Sequence, residues 1–179
     1  MLAADTAGGD YCREYFREQR YTFFAARSMG HNFPIVDGVE QTGTVECAAR
    51  SFNVTTESAV DTITIDLTGV LATDALTRQL RVLKGNRVTG HIVVEDTFDL
   101  TRPVEIRDRV VSFDAPEVIG KGALRFGGED GMTMRFDEDA LEAVIAPALN
   151  GKKTVYTTDL VPRVPEAGTQ VITMTWDAE

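Results

Sequence analysis

The chain carries two histidines, and one of them, His31, stands in the stretch Gly30-His31-Asn32-Phe33-Pro34-Ile35-Val36-Asp37-Gly38. Glycine, proline and an Asp-Gly pair punctuate these residues, as a loop or turn requires and a strand interior does not. An imidazole changes charge near neutrality, so in an accessible loop it can donate to a carboxylate, take a proton or ligate a metal. Asn32 adds an amide that both donates and accepts, and Gln41 offers the same from the following strand. Arg27 lies close enough in sequence to join them. Together these side chains can neutralise a carboxylate and move a proton. The bland alternative is that His31 and Asn32 tie a tight turn and touch nothing else. His91, in Val88-Thr89-Gly90-His91-Ile92, alternates within an apparent strand and reads as a residue of a sheet face.

Other chemistries lack their residues. There is no glycine-rich phosphate loop, no GxSxG and no HExxH. Cys12 and Cys47 form neither a zinc spacing nor a CxxC pair, so no metal and no other cofactor is expected. A disulfide between them is left open.

Eighteen Lys and Arg stand against 28 Asp and Glu, a formal net charge of −10. That balance argues against nucleic acid, which asks for a basic face. The window from Tyr11 to Val36 runs the other way, with Arg13, Arg17, Arg20 and Arg27 against Glu14 and Glu18. The positive charge therefore surrounds His31 in sequence. No apolar run approaches the ~20 residues of a membrane helix, so no membrane partner is expected. The first residues have neither the basic start nor the apolar core of a signal peptide, and the pattern begins as a domain cut from a longer chain would. The compartment stays open between periplasm and cytoplasm.

The elements that must position these residues are strands. The 179 residues suit one domain with a sizeable core. Ile63, Ile65 and Leu67 alternate with Thr62, Thr64 and Asp66, the period of a half-buried strand. Ile172, Met174 and Trp176 alternate likewise near the end of the chain. Leu80–Lys84 and Arg87–Asp96 read as a hairpin about a two-residue Gly85-Asn86 turn. Ala123 to Phe136 reads as a second hairpin with a longer glycine-rich loop. Tyr21 to Ser28 reads as a strand covered on both faces, because Phe23 and Phe24 are adjacent. The stretch Asp137 to Leu149 fits either a helix stopped by Pro147 or an acidic turn followed by a strand Leu141–Ala146. The expected fold is all-β: a large antiparallel β-sandwich of the supersandwich kind, with little or no helix, over residues 1–179.

At this point the residues resemble a known family. Tyr15-Phe16, Arg20-Tyr21 and the spaced set Ser28, Gly30, His31, Asn32, Pro34, Asp37, Gly38 and Gln41 resemble the C-terminal β-sandwich domain of the heparinase II/III-like polysaccharide lyases. Thr64-Ile65-Asp66-Leu67-Thr68-Gly69 is similar to a strand-turn segment of that family. The hairpin ending in Val94-x-Asp96-x-Phe98-x-Leu100 is similar to its arginine-bearing hairpin. The likeness covers about Leu2 to Leu100. Val70 departs from it, standing where an aromatic residue is expected.

The resemblance implies a two-part enzyme, with a helical toroid preceding the sandwich. The toroid supplies most of the catalytic groups, and the sandwich lends a histidine at the interface. The implied reaction is β-elimination at a uronic acid within an acidic polysaccharide, such as a glycosaminoglycan. Donors neutralise the carboxylate, a base removes the C5 proton, and an acid protonates the departing oxygen. The motif carries the interface histidine onto His31, with Asn32 as its substrate-binding neighbour; Arg27 and Gln41 join as substrate-binding candidates by their proximity in sequence. The implied partners are the polysaccharide and the N-terminal toroid, with a homodimer as another way to cover an apolar face. Alone the chain is expected to have little activity. The competing expectations are a non-catalytic carbohydrate-binding module and a purely structural sandwich.

Overall fold

A computed structural model describes residues 12–41, 46–128 and 130–178. Residues 1–11, where the signal-peptide expectation and the start of the family likeness fall, lie outside them. Two antiparallel sheets make the fold. The smaller runs in the order β1 (Ile35–Val36), β6 (Ile106–Ser112), β11 (Lys153–Pro162), β10 (Leu141–Asn150). The larger runs β2 (Ser51–Glu57), β3 (Val60–Asp66), β4 (Leu76–Asn86), β5 (Ile92–Leu100), β12 (Gly168–Ala178), β9 (Met132–Arg135), β8 (Ala123–Phe126), β7 (Glu117–Gly120). The all-β antiparallel sandwich is what the alternation requires, and no α-helix occurs among the described residues.

The core lies where the small sheet covers the large one. Phe98, Phe126, Ile106, Met134, Leu160 and Ile172 are fully enclosed there. Trp176 packs on Phe126 at 5.1 Å between ring centres. Val70, which departs from the family pattern, is buried too. The pairing register places Phe52, Val54, Ile63, Ile65, Leu83, Val94 and Met174 on one continuous face of the large sheet. The small sheet does not reach its far end, where Phe52 and Val54 are 63% and 54% exposed.

Two expectations about these elements need correction, and one open alternative is decided. The turn of the β4–β5 hairpin is not Gly85-Asn86 but the loop 87–91, since Gly85 pairs with Ile92 inside the ladder. Asn86 Oδ1 accepts from the Val88 and Thr89 amides, and Gly90 takes the left-handed position that closes the turn. Asp137 to Leu149 is an acidic turn followed by a strand, Leu141–Asn150, with Pro147 inside it. Tyr21 to Ser28 is not a strand. Short 3-10 turns occupy Glu14–Phe16, Glu18–Thr22, Phe24–Ala26 and Ser28–Gly30, joined by single extended residues at Arg17, Phe23 and Arg27. Adjacent apolar residues suit either structure, and here Ala25 and Ser28 turn inward every third residue. Cys12 and Cys47 are not joined in a disulfide.

Candidate functional site

The run of 3-10 turns ends at His31, whose amide donates to Ser28 O at 3.1 Å. Gly30 makes the fold-back feasible, because a Cβ there would lie 2.4 Å from Phe24 O. The fold-back brings the imidazole over the preceding turn, where His31 Nε2 lies 3.1 Å from Ala25 O. A carbonyl only accepts, so Nε2 carries the proton, and a neutral His31 presents its other nitrogen as an acceptor.

The chain then runs along the edge of β6. Asn32 Oδ1 accepts the Val111 amide at 2.7 Å, standing in for a strand partner just beyond the β1–β6 pairs. Asp37 and Gly38 take positive φ, and Val39 N donates to Val36 O at 2.9 Å, so the Asp-Gly turn is real.

Two buried guanidinium groups hold this loop from behind. Arg81 Nη1 donates to Asn32 O at 2.8 Å, and Arg109 Nη1 donates to Met29 O at 3.1 Å. His31 is thus bracketed by anchors on both sides. Arg81 is held in turn by Asp96, which faces it across β4 and β5 with contacts of 2.7 to 3.0 Å, and by Asp108 of the opposite sheet at 3.1 Å. Arg109 makes a two-pronged pair with Asp159 at 2.7 Å on each arm. Burial works against the Arg81 charge, but Asp96 and Asp108 outweigh it and raise its pKa. Burial, then the neighbouring Asp96, pushes the Asp108 carboxyl well above the usual carboxylate range, with Arg81 pulling the other way. Gln79, Thr158 and Asp108 Oδ2 are buried here without a protein partner for those side-chain atoms, the setting in which ordered water is found.

The structure separates the candidate residues. His31, Arg27 and Gln41 line one open cavity of about 260 Å³ together with Arg20, Tyr21, Ala26, Ser28 and Phe33. Asn32 lines another, of about 250 Å³, walled by Leu83, Val94, Met174 and Trp176 and closed by Arg81 and Arg109. His31 has extended backbone, φ −126 and ψ 162, so the two neighbours face opposite ways. Arg27 grips Glu40 with two arms, and Glu40 Oε2 also accepts the Met29 amide at 3.2 Å. Gln41 N donates to Ser28 Oγ at 2.9 Å and Gln41 Nε2 to Cys47 O at 2.8 Å. Arg27, Asn32 and Gln41 thus all have partners within the chain. Arg20 and Tyr21, to which the sequence motifs assign no role, share the wall with His31. The signal for them was the arginine excess of the window they occupy. His91 is not on a sheet face but ends the 87–91 loop, with Nδ1 2.6 Å from Asp177 Oδ1 at the surface.

This architecture, a small antiparallel sheet on a larger one, is shared with solved structures of a heparan sulfate lyase and a heparinase. The chain is similar to heparan sulfate lyase HepC from Pedobacter heparinus, with a TM-score of 0.68 and 14% identity over 98% of this chain. It is also similar to Heparinase III, the BT4657 gene product, with a TM-score of 0.68 and 13% identity over 99% of this chain. The likeness is one of fold, and it bears out the family resemblance at that level. The chain spans 28% and 27% of the length of those two proteins. No family model matches the sequence, and no curated protein matches it.

Proposed function

We propose that this chain is the β-sandwich domain of a heparinase II/III-like polysaccharide lyase, and that it lends His31 to an active site completed by an N-terminal helical toroid. The observation that carries the reading is the placement of His31. His31 is half-buried and lines an open cavity, while the backbone on either side is bound to two largely buried arginines. A residue that only tied a turn would not need a clamp from both sheets.

The reaction is β-elimination at a uronic acid of an acidic polysaccharide. The C5 proton leaves to a base, the C4–O bond breaks, a C4–C5 double bond forms, and the leaving oxygen takes a proton. Neutral His31 serves as base through its unprotonated nitrogen; protonated, it donates to the substrate carboxylate. Arg27 and Gln41 shape the wall beside it and meet substrate along their exposed edges. Asn32 sets the direction of the loop. The remaining groups, including the acid for the leaving oxygen, come from the toroid, so the chain alone is inactive.

The uncovered end of the large sheet supports a packed neighbour. Phe52 and Val54 continue the apolar face that carries Leu83 and Val94, two residues lining the Asn32 cavity. Large exposed apolar patches mark such interfaces. The toroid is the proposed occupant, and a homodimer is the competing one. Tyr21, half exposed in the His31 cavity, favours a second reading, a carbohydrate-binding module that stacks on sugar rings.

The test is the ultraviolet absorbance of the unsaturated uronate formed from heparan sulfate, hyaluronan or alginate. The chain is assayed alone and with the helical domain of a family member supplied in trans. Absorbance only with the helical domain supports the shared site. Absorbance from the chain alone shows that it holds a complete site. Binding without absorbance favours the carbohydrate-binding module.

A further inference from the structure

We infer, resting on the lyase reading above, that Arg20 is the residue of this chain that binds the anionic group of the sugar, a carboxylate or a sulfate. Of the eight described residues that line the His31 cavity, two are cationic and none is acidic. Arg27 is one of the two, and Glu40 cancels its charge through both arms of the guanidinium. Arg20 is the other, and among the described residues it has no carboxylate partner. In a chain of net charge −10, an anion is drawn to a local cation, and among the described residues this cavity has one that no carboxylate neutralises.

The guanidinium is also held in place. Its central carbon lies 5.7 Å from the centre of the Tyr15 ring, within cation–π range. Tyr15 in turn packs edge-on against Phe16 and Phe23 at 5.5 and 5.4 Å. A stacked guanidinium keeps its in-plane N–H groups for a planar or tetrahedral anion, which it can grip at two points. The neighbouring Tyr21 ring, 50% exposed, offers a face to the sugar. The other polar groups of the wall are spent inside the chain: Ser28 Oγ on Gln41 N, Gln41 Nε2 on Cys47 O, and His31 Nε2 on Ala25 O. Arg20 therefore sets the requirement for an acidic sugar, and His31 stands where the held residue would react.

The experiment titrates the whole chain, followed by amide and guanidinium NMR, with three probes: a hyaluronan tetrasaccharide, its methyl ester, and a sulfated heparan tetrasaccharide. The variants are Arg20→Gln and, as a control of equal charge outside the cavity, Arg13→Gln. Loss of a charge-assisted contact predicts that Arg20→Gln weakens the acidic probes about tenfold or more. Arg13→Gln should stay within about twofold, as expected of a screened surface charge. If the carboxylate is the bound group, methyl esterification costs the wild type as much as Arg20→Gln does. If sulfate is the group, only the heparan probe responds to Arg20. Equal losses in both variants, affinity indifferent to Arg20→Gln, or no binding of any probe by the wild type would overturn the assignment. The lyase reading fails separately. In the two-component reaction Arg20→Gln raises KM, whereas His31→Ala lowers kcat. Anion binding that needs Arg20, with turnover indifferent to His31, would retain this site and discard the lyase.

Discussion

Replacing Arg81 by methionine tests the clamp behind the His31 loop. Methionine keeps much of the apolar stem of Arg81 and removes the guanidinium. Asp96 and Asp108 are wholly enclosed, with side-chain exposures of 0%, and Arg81 has 12%. The substitution leaves Asp96 without its two-pronged partner, removes the bond to Asp108 across the sheets, and orphans Asn32 O. Breaking a buried pair from one side costs about 3–5 kcal/mol. For a urea slope near 2 kcal/mol per molar, a loss of about 4 kcal/mol lowers the unfolding midpoint by roughly 2 M. A domain holds about 5–15 kcal/mol in all, so the variant folds only marginally. The assay is urea unfolding followed by Trp176 fluorescence at neutral pH. The same substitution made on an Asp96→Asn background should cost at least 1 kcal/mol less, by the coupling of paired charges. A midpoint shift below about 0.5 M would refute the reasoning, because it would mean that the carboxylates meet water.

Two further predictions follow from the same neighbourhood. A carboxyl whose pKa is raised in the folded state stabilises fully below its unfolded value, and that stability is lost as pH rises through the folded value. For Asp108 the window opens near the ordinary carboxylate pKa of about 4 and extends upward; unfolding free energy measured across it should fall with pH in the wild type and fall less in Asp108→Asn. Gly30→Ala places a methyl 2.4 Å from Phe24 O; it should cost about 1–3 kcal/mol and shift the His31 ring resonances, whereas unchanged stability and shifts would show that the fold-back is not fixed.

The alternating strands were readable because a side chain every second residue must choose between core and solvent. Ile172, Met174 and Trp176 do turn inward. The hairpin turn was misread because Gly85-Asn86 suits a two-residue turn as well as Asn86 suits the first position of a longer one. A turn at Gly85-Asn86 pairs Arg81 away from Asp96, whereas the loop 87–91 sets them face to face. Register therefore concealed the ion network that anchors the loop. The 3-10 segment was hidden because Phe23-Phe24 carries no clear period. The His31 loop itself was legible from its glycine, proline and Asp-Gly punctuation. The opposite orientations of His31 and Asn32 were not, since they depend on the extended backbone at His31. Nor was the neutralisation of Arg27, which needs Glu40 brought back across the Asp37-Gly38 turn.

The most direct measurement of the central claim is turnover of a uronic-acid polysaccharide by the two-component enzyme carrying His31→Ala, with the urea midpoint of the variant measured alongside. A group that moves the proton in the reaction contributes about 10²- to 10⁴-fold. With His31 moving the proton, kcat falls by that factor while the midpoint stays unchanged. Full turnover in a folded His31→Ala variant would contradict it.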